Sequence, residues 1–550
     1  MRFKIFSLFL ITALVFSCAR QGTPSGGPKD ETPPKYLSSV PDTLSVNVPL
    51  TLNEIKINFD EYVILKDYQN NVVVSPSLGN SATFMPVGSP AKSVRVKFSE
   101  PLKENTTYNI NFGNAIQDNN EGNILSAYQF VFSTGDFLDS LKINGIVSVP
   151  SDRKQSKTLI VGLYPFDENY KDSLIMREKP FYVAKPDESG NFKLNYLKPG
   201  KYQLVAFDDE VQNMHFDPGK EKIGFVDGVV DLNSNQKIDL ELFSQKKNYK
   251  ALKAEQKEYG HLVFKFEGEP DEVDIKPIDF EFKTASVSYK PKSDSLNFWF
   301  NPAIDSIAEK SKRIKFLVTH KDSKDTVSVV YSNNFKRKLK ILSDSKLEFS
   351  PGRKLKLTAS YPIQKLDSAF VKVYRDSLLV KTGLIADEQN KNNFSFDFPV
   401  ELSSKYKVEL LPGALTDIFG EINDSIKYNF NTKTRNDYGH LKLILKHPPE
   451  KPYFLKFFNE KGVQLDEQYG RNTEFEYNYL IPGNYYFQIL IDENENGFWD
   501  TGDFFERKKP EPALIYPGLI NVRVMWNTEE TWILPFGKPG EVFEPVAPSD

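Results

Sequence analysis

The residues best suited to chemistry lie near the end of the 550-residue chain, in the stretch DENENGFWDTGD at 492–503. Asp492, Asn494 and Asn496 alternate there, Gly497 follows, and Asp500 and Asp503 close the stretch. Calcium is a hard cation that takes about six to eight oxygens, and a calcium loop supplies them from its positions 1, 3, 5, 7, 9 and 12 with a glycine at 6 for the bend. On that count Asp492, Asn494, Asn496, the backbone carbonyl of Phe498, Asp500 and Asp503 form a Ca2+ site. Two features depart from the pattern: the last ligand is Asp where the longer Glu is usual, and the loop follows an expected strand, not a helix. An earlier stretch, 209–221, repeats Asp209, Asn213 and Asp217 but puts Val211, Met214 and Lys220 at the other required positions, so weak or no binding is expected of it. A plain turn is the competing reading of both, because Asp, Asn and Gly are also turn formers.

Other reactive groups are sparse. Cys18 is the single cysteine and there are five histidines, which excludes a disulfide scaffold and a cysteine-ligated zinc or iron–sulfur site. Tyr-Gly-His-Leu occurs at 259–262 and again at 438–441, so His261 and His440 are either a metal-binding pair or, more simply, residues of turns that open strands. Phe298-Trp299-Phe300, between Asn297 and Asn301, is either a sugar-stacking surface or a buried strand, the latter favoured by the heavy use of aromatics in β cores. No nucleophile elbow, zinc-protease helix, phosphate-cradling loop or dinucleotide fingerprint occurs. The chain is therefore not expected to be an enzyme. Lys and Arg number 70 against 74 Asp and Glu, a balance that speaks against a nucleic-acid partner.

The elements that must carry these residues read as strands. Apolar and β-branched runs at 54–59, 93–98, 108–112 and 129–133 are separated by Asn, Asp, Gly and Pro clusters, a spacing of β-sandwiches. Helical patterning is confined to 248–258, a charged linker, and 304–315. The expected class is all-β, as tandem β-sandwiches.

At the start, Arg2 and Lys4 precede an apolar run at 5–16 that is shorter than the ~20 residues a spanning helix needs. Ending in Val15-Phe16-Ser17-Cys18, it resembles a bacterial lipoprotein signal. That resemblance implies a signal peptide at 1–17, a covalent lipid on Cys18 and attachment to the membrane through it. Residues 18–35 hold the lipidated Cys and a Pro/Gly-rich tether without apolar periodicity.

Residues 36–135 resemble the bacterial Ig-like domain of surface-layer proteins through Phe59-Asp60-Glu61, Tyr108, the turn at 118–122 and Phe132-Ser133-Thr134. Tyr108, Ile110 and Phe112 alternate onto one face, as a half-buried strand requires. The stretch ESGNFKLNYLKPGKYQLVAFDD at 188–209 resembles a hairpin of carboxypeptidase-regulatory or transthyretin-like sandwiches, here assigned to 138–246. It recurs 283 residues later, with Phe192, Pro199-Gly200, Tyr202 and Asp209 answered by Phe475, Pro482-Gly483, Tyr485 and Asp492. The remaining divisions are an additional β domain at 259–345, a degenerate Ig-like domain at 346–434 in which Tyr406 and Asp417 echo Tyr108 and Asp118, a transthyretin-like domain at 437–536 and a tail at 537–550.

With Gly26-Gly27-Pro28-Lys29-Asp30 and Pro33-Pro34 after the Cys, the chain resembles a group of Bacteroidota envelope lipoproteins. The resemblance implies a lipid-anchored outer-membrane protein, on either the periplasmic or the surface face. Its sandwiches would form a non-catalytic protein-interaction or structural module contacting other envelope proteins, as an accessory subunit of an outer-membrane assembly, secretion or transport machine. The second reading, from a different class, is a carbohydrate-binding lipoprotein of a polysaccharide-uptake system, with a glycan as partner.

Overall fold

Strands whose residues alternate between apolar and polar have one face to bury, and this chain buries those faces by laying sheets against each other in pairs. The computed structural model describes residues 30–536 except 79–80, 151, 154–155, 157, 306, 308–311, 333, 336, 344–349, 353 and 389. Cys18, the expected signal peptide at 1–17, most of the expected tether and the expected tail at 537–550 lie outside the described residues. One compact unit holds the chain up to Val147 together with 157–215 and 226–240; the other holds 148–156, 216–225 and the chain from Glu241 onward. The expected 138–246 sandwich is thus divided between the two.

In the first sandwich, Glu54–Leu65 and Ala91–Phe98 pair in one sheet, and Thr107–Asn111 and Gln129–Ser133 pair in the other. Tyr108, Ile110 and Phe112 all enter the core between them, as their spacing requires. The Tyr108 ring stacks on Phe132 at 5.2 Å, and its hydroxyl accepts the Lys103 N–H at 2.8 Å. The fourth sandwich repeats this corner 298 residues later, with Tyr406 on Phe430 at 5.3 Å and the Glu401 N–H at 2.7 Å. Even the threonine that latches the corner recurs: Thr134 accepts the Thr106 N–H at 3.0 Å and Thr432 accepts the Ser404 N–H at 2.9 Å.

The expected transthyretin-like hairpin is a crossing between sheets. Asn191–Leu197 pairs with Leu141–Ser148, whereas Gly200–Asp208 pairs with Leu159–Pro165 in a different sheet. The later copy behaves alike: Glu474–Leu480 pairs with Gly439–Lys446, and Gly483–Ile491 with Tyr453–Asn459. Both strands bury apolar residues, so they stack face to face across a core where a hairpin would set them side by side. Each crossing is pinned by a tyrosine after the turn, Tyr202 donating to the Lys198 carbonyl at 2.9 Å and Tyr485 to the Ile481 carbonyl at 2.5 Å.

The charged stretch 248–258 is not a helical linker. Lys250–Glu258 is a strand antiparallel to His261–Glu267. Its Ala, Lys, Glu and Gln are good helix formers, but pairing with a sheet edge overrides propensity, and the charges suit an edge. The helix expected at 304–315 also fails where it is described, since Lys312–His320 is a strand that buries Ile314, Phe316 and Val318. The third sandwich therefore begins near 250, not 259. The fourth begins before 346, because Ile341–Ser343 pairs with Lys356–Ala359 and Leu339 is in the fourth core.

The strands Lys250–Glu258 and His261–Glu267 meet at Gly260, which has φ of 63° and no room for a side chain: a Cβ would lie 2.2 Å from the Phe300 carbonyl oxygen and 2.8 Å from the Phe419 ring. Strain at positive φ adds to that overlap. Gly260→Ala is expected to cost about 2 kcal/mol or more. Hydrogen exchange should quicken in His261–Glu267 and Ser295–Trp299 and stay unchanged in the first sandwich.

Candidate functional site

The loop after Gly483–Ile491 is built around Asp492, which is fully buried. One of its carboxylate oxygens accepts the Asn496 N–H at 3.0 Å; the other accepts the Gly497 N–H at 2.8 Å and the Tyr469 hydroxyl at 2.7 Å. Gly497 takes φ of 81°, the bend expected of it. Asn494 and Asn496 turn their amide NH2 groups to Asp500, at 2.8 and 2.6 Å. Their oxygens accept the backbone N–H groups of Asn496 and Phe498. Lys292, from the third sandwich, seats its ammonium 2.5 Å from the other Asp500 oxygen and 4.5 Å above the Phe498 ring. Burial works against the charge of Asp500, yet Lys292 and the two amides outweigh it and hold the carboxyl below its ordinary value.

The structure brings Asp492, Asn494, Asn496 and Asp500 together but sends Asp503 elsewhere. Asp503 accepts the Gln245 amide at 2.8 Å and the N–H groups of Phe505 and Glu506. Gln245 in return accepts the Phe504 N–H at 2.9 Å. Glu511, eight residues beyond Asp503, takes the place expected of it in the loop. Its two oxygens accept the N–H groups of Asn494 at 3.2 Å and Asp500 at 2.7 Å, and burial raises its pKa despite those donors. Sequence spacing missed it because the chain makes a further turn between Asp503 and Lys508 before returning. A signal was present in the Pro-Glu-Pro at 510–512, which fixes the backbone around a single acid.

Three carboxylates and two amides are a donor set that suits calcium. In this conformation the oxygens are engaged by backbone N–H groups, and amide nitrogens face Asp500. Among the described residues no group of three or more His, Cys, Asp or Glu converges at metal-ligand spacing. Calcium entry requires the two amides to turn over and Lys292 to withdraw.

The earlier copy is organised in the same way. Asp209 accepts the N–H groups of Asn213 at 2.9 Å and Met214, and Asn213 accepts that of His215 at 2.7 Å. Met214, at φ of 59°, is in the left-handed region as Gly497 is in the later loop.

The two histidines do not form a pair. His261 is bonded to Asn297 at 2.9 Å and stacked on Trp299 at 3.6 Å, and burial lowers its pKa to about 4. His440 is bonded to Asn478 at 2.8 Å. Each stands at the start of a strand, His261 first in His261–Glu267 and His440 second in Gly439–Lys446. Phe298, Trp299 and Phe300 are all buried, so the aromatic run is core.

Residues 30–134 match the bacterial Ig-like domain family, which accounts for the first sandwich and leaves the rest of the chain unassigned. No curated protein matches the chain. Among solved structures, the chain is similar to the major pilin subunit BcpA of Bacillus cereus, with 12% identity over 72% of this chain and 99% of that one and a TM-score of 0.13. A DUF3823 family protein from Parabacteroides merdae has 12% identity over 35% of this chain and 99% of its own, with a TM-score of 0.13. The S-layer protein rSbsC has 10% identity over 88% of this chain and 67% of its own, with a TM-score of 0.15. Scores this low establish no shared arrangement.

Because the Asp500 carboxyl is depressed in the folded chain, its contribution is present above the ordinary carboxylate value and is lost as pH falls through its folded value. Asp500→Asn is expected to cost about 1 kcal/mol at pH 7 after allowance for solvent screening of a part-exposed ion pair. The difference from wild type in urea unfolding should shrink towards zero as the medium is acidified below the Asp500 titration.

Proposed function

We propose that this protein is an envelope lipoprotein, held at the outer membrane by lipid on Cys18, whose tandem sandwiches act as a non-catalytic structural or protein-interaction module. The observation that carries this reading is where the reactive side chains are spent. Asp118, Asp209, Asp417 and Asp492 each accept backbone N–H groups of their own loop, and His261 is locked between Asn297 and Trp299. Groups used in this way position backbone and are not free to act on a substrate. The bacterial Ig-like match of the first sandwich supports the same reading. Within it, the chain serves as an accessory subunit that presents its loops and faces to other envelope proteins in an assembly, secretion or transport machine.

Metabolic labelling with an alkyne fatty acid tests the anchor: wild type is expected to be tagged and Cys18→Ala untagged, and equal labelling would refute it. In vivo crosslinking of the lipidated chain is expected to capture an outer-membrane barrel protein, and recovery of the chain alone would refute the accessory role.

Calcium at Asp492, Asn494, Asn496, Asp500 and Glu511 belongs to this proposal as a stabiliser of the fifth sandwich. A site filled at one hundred times its dissociation constant adds about 2.7 kcal/mol. The wild-type melting temperature is then expected to rise with calcium and fall with chelator, and that of Asp492→Ala to respond to neither. Superimposable wild-type melts would leave the loop a turn.

A further inference from the structure

The fifth sandwich carries a cleft of 480 Å3 at the end where Gly439–Lys446 begins, Glu474–Leu480 ends and the turn at 523–526 closes. The volume falls within the ~300–1,000 Å3 of small-molecule sites. Trp526 stands at its edge, 58% exposed, while Trp299 and Trp532 are buried. The backbone that carries the indole is fixed: the Trp526 carbonyl accepts the His440 N–H at 2.9 Å, and the Tyr438 carbonyl accepts the Met525 N–H at 2.8 Å. Arg523 lies 5.0 Å over the Trp526 ring. Tyr479, also at the cleft, is fixed edge-on to Tyr438.

The two Tyr-Gly-His-Leu copies show what the cleft lacks. In the third sandwich the His261–Asn297 pair is covered by Trp299, stacked at 3.6 Å with its plane within 7° of the imidazole. In the fifth, His440 bonds Asn478 through Nδ1 where His261 uses Nε2; this pair lines the cleft, and no ring stacks on it among the described residues. With His440 Nδ1–H donating to the Asn478 Oδ1, the imidazole Nε2 is left to accept and the Asn478 NH2 to donate. Asn436, Asn527 and Thr528 add further neutral groups. Charged groups line the cleft as well: Lys442 is paired with Glu474 at 2.8 Å, and Arg435 and Glu529 bring one charge of each sign.

The geometry points to a glycan-binding site: a pyranose ring stacks its C–H face on Trp526, and its neighbouring hydroxyls bond to His440 and Asn478. A hydroxyl both donates and accepts, which is what this His–Asn pair requires of a partner. A pyranose also offers an apolar face and a polar rim at once, matching one indole beside neutral amides. A protein partner fits less well, because a stable protein interface buries about 800 Å2 on each side and is anchored by several large side chains. The site stands apart from the scaffold role proposed above and does not depend on it.

The test uses the full-length chain and four neutral hexasaccharides as probes: β-1,4-linked glucose, β-1,4-linked xylose, β-1,4-linked mannose and α-1,4-linked glucose. At least one is expected to change the tryptophan emission and to give a calorimetric isotherm. Trp526→Ala and Asn478→Ala should each weaken that binding tenfold or more, Trp526→Phe should keep part of it, and Trp499→Phe should leave it intact. Trp526 is exposed, so its replacement leaves the core untouched, and an unchanged melting temperature verifies this. Silence from all four sugars overturns the proposal, as does a Trp526→Ala variant that binds like wild type. Loss of a crosslinked envelope protein from Trp526→Ala with sugar binding unaltered would assign the cleft to a protein instead.

Discussion

A buried carboxylate that accepts several backbone N–H groups of one loop is the interaction on which these sandwiches depend. Two facing sheets bury their apolar faces, but the connections between them leave donors that no strand satisfies, and each unmet buried donor costs about 1–3 kcal/mol. An aspartate at the head of the loop gathers them. Asp118 accepts four N–H groups, from Asn120, Glu121, Gly122 and Asn123, and these hold its carboxyl below the ordinary value although burial opposes it. Asp417 has the same place in the fourth sandwich but its carboxylate accepts two N–H groups, from Phe419 and Glu421, and there burial prevails and its pKa rises. Fewer converging donors and a heavier burial penalty together change the sign. Asp209, Asp492 and Asp503 apply the device to the longer loops.

The repeats were legible in the sequence because they reside in single residues with fixed duties. Tyr108 and Tyr406, or Tyr202 and Tyr485, reach a backbone group four or five residues before them, and that contact survives any drift of the surrounding strands. Alternation placed Tyr108, Ile110 and Phe112 in the core without ambiguity. Partnership between strands was less legible, since Asn191–Leu197 and Gly200–Asp208 read as a hairpin but belong to different sheets. Local pattern shows which face a strand buries and is silent on which neighbour it hydrogen-bonds. Lys250–Glu258 misled for a different reason: an edge strand with a mostly solvated face shares its composition with a surface helix.

Spacing along one loop brought out Asp492, Asn494, Asn496 and Asp500, which do converge. Glu511 escaped because its approach depends on the path of the chain after Asp503, and Lys292 because it arrives from another sandwich. Contributions of that kind have no local signature. Trp526 likewise looks no different in the sequence from Trp299, and burial alone separates them.

Trp299 carries a consequence for how such a chain can change over generations. It is part of a strand of the third sandwich, yet its side chain belongs to the core of the fourth, edge-on to Tyr361 at 6.0 Å, while Phe419 of the fourth closes over Gly260 of the third. Repetition in sequence suggests beads that duplication and recombination can shuffle freely. Here a crossover between these two repeats would strip an indole from the core that needs it and leave it exposed on the piece that keeps it. The third and fourth sandwiches are therefore expected to be inherited, lost and exchanged as a pair.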